Sequence, residues 1–167
     1  ISFSFANYYN IKLQFADING DASLDFVFTG TSPQNRTELM YVPNRSTNGL
    51  NFSGQSILST NFEIADTENI LVVDVNQDGL NDLLVGKATG AVQYWRNMGP
   101  KDKFNYTLEN GSFLGLGTST DRQNASLAAG DLDADGRGDL VLADQRGQLT
   151  IYGDFRAQNS NIEGVKN

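Results

Sequence analysis

Ten of the 20 acidic residues fall in three nine-residue windows. They are Asp17-Ile-Asn-Gly-Asp-Ala-Ser-Leu-Asp25, Asp74-Val-Asn-Gln-Asp-Gly-Leu-Asn-Asp82 and Asp131-Leu-Asp-Ala-Asp-Gly-Arg-Gly-Asp139. Crowding carboxylates this closely costs Coulomb energy unless a cation neutralises them. The hard cation that suits such a set is Ca²⁺, which takes about six to eight oxygen ligands from carboxylates, amide and backbone carbonyls, and water. Positions 1, 3 and 5 can turn short oxygen-bearing side chains inward, position 7 can offer its carbonyl, and position 9 closes the shell with another Asp. This predicts Asp17, Asn19, Asp21 and Asp25 with the Ser23 carbonyl in the first window. The second supplies Asp74, Asn76, Asp78 and Asp82 with the Leu80 carbonyl, and the third Asp131, Asp133, Asp135 and Asp139 with the Arg137 carbonyl. Up to three Ca²⁺ would bring the net charge of −8 close to neutrality.

The EF-hand shares this opening pattern but needs a bidentate Glu at position 12 and flanking helices. Position 12 is Phe28, Val85 and Leu142, all apolar and strand-like, which excludes it. Asp/Asn/Gly turns are common between strands, yet three copies with Asp at positions 1, 5 and 9 exceed what ordinary turns require. Position 6 is Gly79 and Gly136 in two windows, where the missing Cβ relieves a tight turn. In the first it is Ala22, which is strained if its φ is positive, so that site is expected to be weaker or differently turned.

The windows recur with a constant period of 57 residues, and the similarity extends beyond them: Gly90 corresponds to Gly147, Tyr94 to Ile151 and Trp95 to Tyr152. In the first unit a longer hairpin, Thr31 to Thr37, shifts Tyr41 and Asn44 into correspondence with Tyr94 and Asn97. Each unit reads as short β segments punctuated by turns. In the second, these are Asn69 to Asp74, Leu83 to Gly86, Ala91 to Arg96 and Phe104 to Glu109. Runs such as Ile70-Leu-Val-Val73 and Leu140-Val-Leu142 are nearly continuous, as in strands covered on both faces. The expected fold is all-β, a β-propeller of four-stranded antiparallel blades with about three blades present as a partial ring. Residues 1-167 form a single propeller segment with units at about 11-67, 68-124 and 125-167, the last incomplete. Ile1 to Phe5 alternates like the final strand of a preceding blade and carries no signal-peptide pattern, and Ala157 to Asn167 ends before a final strand. Further blades of the parent chain, or a covering partner, are therefore expected.

Cysteine and histidine are absent, which removes thiol nucleophiles, disulfides, Cys/His zinc sites and imidazole-based triads. The acidic balance and scattered basic residues argue against nucleic acid. No apolar run is long enough for a membrane span.

At the acidic windows the chain resembles the FG-GAP/VCBS repeat family, the propeller repeats of integrin α-subunit heads and many bacterial surface proteins. The stretch Leu127 to Leu142, followed by Gly147-Gln-Leu-Thr-Ile-Tyr152, is similar to repeats of proteins exported by the Bacteroidetes type IX secretion route. The resemblance implies Ca²⁺ in a hairpin loop of each blade, with the partner surface elsewhere on the disc.

Other features carry less. Asp139 of Arg137-Gly138-Asp139 is needed as a metal ligand, which sets aside the adhesion tripeptide. Six sequons begin at Asn35, Asn44, Asn51, Asn105, Asn110 and Asn124. Tyr94, Trp95 and Tyr152 could offer a sugar platform, though aromatic residues of a third strand more often pack between blades. No pair of the remaining acids, such as Glu38, Glu63, Glu68 and Glu109, is spaced like a glycosidase pair. The expectation is a non-catalytic module with structural Ca²⁺ that binds a protein or glycan partner. Extracellular calcium modules work at about 10⁻⁴ to 10⁻³ M, which points to a secreted or cell-surface location. The alternatives are the propeller of a polysaccharide-active or lipase-type enzyme, and a component of a bacterial secretion or motility complex.

Overall fold

The computed structural model describes residues 7–158 except 47, 53, 55 and 102. The expectation for Ile1 to Phe5 lies outside the described residues, as does most of that for Ala157 to Asn167. The chain builds three antiparallel sheets in sequence order. The first contains β1 (Tyr9–Ala16), β2 (Asp25–Thr31), β3 (Thr37–Val42) and β4 (Leu58–Ile64); the second β5 (Asn69–Val73), β6 (Asp82–Gly86), β7 (Val92–Asn97) and β8 (Tyr106–Asn110). The third has β9 (Ser126–Gly130), β10 (Asp139–Ala143) and β11 (Leu149–Tyr152) among the described residues. Every sheet is a simple meander, each strand paired with its chain neighbours. The fourth strand of the second unit begins at Tyr106, two residues later than the sequence suggested. The chain also carries a 3₁₀ turn, Phe113–Gly115, and a helical turn over 155–158.

The continuous apolar runs form central strands because their alternate side chains serve two different cores. In β6, Leu83 and Val85 pack with Val27, Leu39 and Tyr41 of the first sheet. Leu84, between them, packs with Val92, Phe113, Leu140, Leu142 and Phe155 toward the third sheet. In the first sheet, β2 and β3 likewise send Val27, Leu39 and Tyr41 to the shared core, and Phe28, Met40 and Val42 to a cluster with Phe52. The second sheet is thus sandwiched between the other two. Tyr94, Trp95 and Tyr152 belong to these cores: Tyr94 meets Phe113 at 5.8 Å and Trp95 meets Phe62 edge-on at 5.1 Å.

The first strands lie side by side, β5 against both β1 and β9. Polar side chains stitch the first junction: Gln14 of β1 donates to the Ile70 carbonyl and accepts the Val72 amide, both at 3.0 Å. Lys12 donates to the Asp66 and Glu68 carbonyls. Beyond the sandwich, Leu13 and Phe15 of β1 and Leu149 and Ile151 of β11 remain exposed.

Candidate metal centres

All three acidic windows occupy the same place, the connection between the first and second strands of a sheet, and all three share one backbone conformation. Positive φ is found at position 4 (Gly20 73°, Gln77 61°, Ala134 62°) and again at position 6 (Ala22 69°, Gly79 83°, Gly136 85°). The first loop is therefore not differently turned. Each loop has one glycine and one strained non-glycine at these two positions, and the first merely exchanges them. The sequence reading identified position 6 but not position 4.

Side-chain oxygens hold this turn by accepting loop amides. The position-1 carboxylates accept the amides of positions 5 and 6: Asp17 from Asp21 and Ala22 at 2.9 and 2.8 Å, Asp74 from Asp78 and Gly79 at 3.2 and 2.9 Å, Asp131 from Asp135 and Gly136 at 3.1 and 3.0 Å. Position 3 accepts the position-5 amide through Asn19, Asn76 or Asp133 Oδ1. Position 5 accepts the position-7 amide through Oδ1 of Asp21, Asp78 or Asp135, at 2.9, 3.0 and 2.8 Å. The Oδ2 atom of position 5 is left to face other partners. The amides of Ser23, Leu80 and Arg137 are thus engaged by the loops' own carboxylates.

The position-9 aspartates open the second strands and are buried: Asp25 and Asp82 at 0% exposure, Asp139 at 5%. Each accepts an amide at or two residues beyond the end of its sheet's third strand, Asn44 at 2.8 Å, Asn97 at 2.8 Å and Asp154 at 3.0 Å. Asp82 and Asp139 also accept the position-2 amides of Val75 and Leu132 at 3.1 and 2.8 Å, and Asp82 accepts the Tyr94 hydroxyl at 3.1 Å. This second duty, tying loop to third strand, was not visible in the sequence. The correspondence of Asn44 with Asn97 was the trace of it.

Asp25 Oδ2 is buried without a hydrogen-bond partner, although the Ile18 amide is close enough to favour the charged carboxylate. Burial, followed by the charges of Asp21 and Asp17, pushes the Asp25 carboxyl up from 3.8 to about 6 despite the Asn44 and Ile18 amides. Burial likewise raises Asp82. The same atom of Asp82 and Asp139 accepts the position-2 amide, so what a cation would balance at Asp25 is the buried charge beside Asp17 and Asp21. In the third loop, carboxylate oxygens of Asp131, Asp133 and Asp139 lie within 4.8 Å of one another. The residues therefore fit a hard divalent ion by donor chemistry, by loop conformation and by these convergent carboxylates. Asp135 stands apart from that group, and its carboxylate meets Arg137 instead.

The loops are also clasped from the following sheet. Lys101 donates to the Gly20 carbonyl at 3.1 Å, Asn81 donates to the Asp17 carbonyl, and Arg156 donates to the Asp74 carbonyl at 2.9 Å. The first and second acidic loops thus each face the junction with the following sheet.

No curated protein and no solved structure matches the chain. The family model for the FG-GAP-like repeat matches residues 17–85 and 74–142. Each match starts at position 1 of one acidic loop and ends at position 12 of the next, so together they take in all three loops and most of the chain. The chain belongs to the FG-GAP-like repeat family.

Proposed function

We propose that the chain is a calcium-binding, non-catalytic segment of a β-propeller, in which Ca²⁺ fixes the loop between the first and second strands of each blade. The observation that carries this reading is the single backbone conformation that sets an oxygen-rich loop at the same place in all three sheets, with the carboxylates of Asp131, Asp133 and Asp139 within 4.8 Å of one another in the third. FG-GAP repeats generally serve as non-catalytic binding or structural modules. Asp17, Asn19, Asp21 and Asp25 with the Ser23 carbonyl would hold the first ion. Asp74, Asn76, Asp78 and Asp82 with the Leu80 carbonyl would hold the second, and Asp131, Asp133, Asp135 and Asp139 with the Arg137 carbonyl the third. The ion supplies charge neutralisation and a cross-link between loop and second strand.

The exposed Leu13, Phe15, Leu149 and Ile151 on the two outer sheets support further blades on either side or a covering partner. Millimolar calcium outside cells favours a secreted or cell-surface location, with a protein or glycan as the bound partner. Thermal melting of the protein with and without chelator tests the metal reading. A ligand that binds only the folded state adds about 2.7 kcal/mol when present at about a hundred times its Kd. Millimolar Ca²⁺ is expected to raise the melting temperature, and Mg²⁺ to do so far less. Identical melting in Ca²⁺ and in chelator would refute it.

A further inference from the structure

The three loops differ at the position-5 carboxylate. Oδ2 of the position-5 aspartate, the oxygen left over once Oδ1 has accepted the loop amide, has a guanidinium against it in two loops. In the third, Arg137 reaches Asp135 Oδ2 through Nε at 2.9 Å and a terminal nitrogen at 2.5 Å, and its other arm holds Asp154 at 2.9 Å. In the second, Arg96 from β7 reaches Asp78 Oδ2 at 3.3 Å, beside the Asn76 side-chain amide at 2.8 Å. In the first, Arg45 lines the same hollow as Asp21, yet no ion pair joins them among the described residues.

We infer that Arg96 and Arg137 are tethered counter-cations, each occupying the place at the position-5 carboxylate that calcium must take, so that loops two and three bind calcium against an internal competitor and loop one does not. This rests on the calcium reading above. The pairs sit at the surface, with the Arg137 side chain 61% and the Arg96 side chain 38% exposed. Surface ion pairs are weak, and removing one is expected to tighten calcium binding at its own loop by about 1.5- to fivefold. Both arginines also line one cleft of about 600 Å³ between the second and third sheets. Calcium that displaces them would release two guanidinium groups on its walls.

The test is a calcium titration of the protein followed at the backbone amides of Ala22, Gly79 and Gly136, one reporter per loop. Arg137→Ala should lower the midpoint at Gly136 alone, and Arg96→Ala at Gly79 alone. A generic loss of positive charge would also favour calcium, so the decisive arm is a double-mutant cycle. In an Asp135→Asn background, Arg137→Ala should give no further gain. An equal gain in both backgrounds, or no gain in either, overturns the inference while leaving the metal sites intact. Failure of all three amides to respond to calcium overturns the metal reading itself.

Discussion

Replacing Asp82 separates the two duties of a position-9 carboxylate, because one of them needs no metal. Asp82→Ala removes the acceptor for the Val75 and Asn97 amides and for the Tyr94 hydroxyl, all in the interior of the second sheet. A buried donor left without a partner costs about 1–3 kcal/mol. Three of them set an upper range near 3–9 kcal/mol, and relief of the buried charge on Asp82 offsets part of it. A loss of about 3 kcal/mol in chelator is the expected result, and at about 2–4 °C per kcal/mol for a chain of this size the melting temperature should drop by about 10 °C. Asp78→Ala is the contrast. Its contacts with Leu80, Asn76 and Arg96 lie at the surface, so in chelator it should cost about 1 kcal/mol or less. With Ca²⁺ present it should lose most of the second loop's share of metal stabilisation. Differential scanning calorimetry of both variants with and without Ca²⁺ reads the four values. Equal destabilisation of the two in chelator would refute the view that position 9 is a structural carboxylate before it is a ligand.

Ala22→Gly should stabilise the protein by about 1 kcal/mol in denaturant titrations, since a non-glycine residue in the left-handed region costs about 1–2 kcal/mol; a loss of stability would contradict the strain. Gly90 and Gly147 share positive φ, but an added Cβ would lie 1.6 Å from the Arg122 carbonyl oxygen at Gly90 and meet nothing within 4 Å at Gly147. Gly147→Ala should therefore cost about 1 kcal/mol and Gly90→Ala clearly more, and equal midpoints would dismiss the close approach. The fold holds the Asp25 proton more tightly than the unfolded chain does, so protonation favours folding. In chelator the melting temperature should then fall as pH rises from 3.8 through about 6, and Asp25→Asn should flatten that slope. Calcium binds the deprotonated form and should reverse it; an unchanged slope in the variant would remove Asp25 as the cause.

The metal loops and the repeat were legible because short-range chemistry writes them directly: oxygen-bearing residues at alternate positions, then an apolar strand. Strand existence followed from the same runs, since Leu83, Leu84 and Val85 must find cover on two faces. What stayed hidden depends on partners far along the chain. The Asn97 amide that Asp82 accepts, and the Arg96 that meets Asp78, come from β7, where nothing local marks Arg96 as different from any exposed arginine. The left-handed turn at Gln77 and Ala134 was also missed, because a strained residue leaves no compositional sign where the loop's hydrogen bonds enforce it. In the first loop the sign is present, as Gly20.

Asn44 stands four residues farther from its aspartate than Asn97 does from Asp82, yet both amides arrive at the same 2.8 Å. The extra length is two residues in each of β2 and β3, added at the far end of the ladder, where the paired Thr31 and Thr37 lie 2.9 Å apart between hydroxyl oxygens; the loop beyond them, 32–36, is as long as 87–91 in the second sheet. Antiparallel pairing absorbs insertions at the hairpin tip without moving the opposite rim. One edge of each sheet is thereby free to vary in length and sequence while the ion-holding edge stays fixed, which lets a single chain diversify its contacts unit by unit.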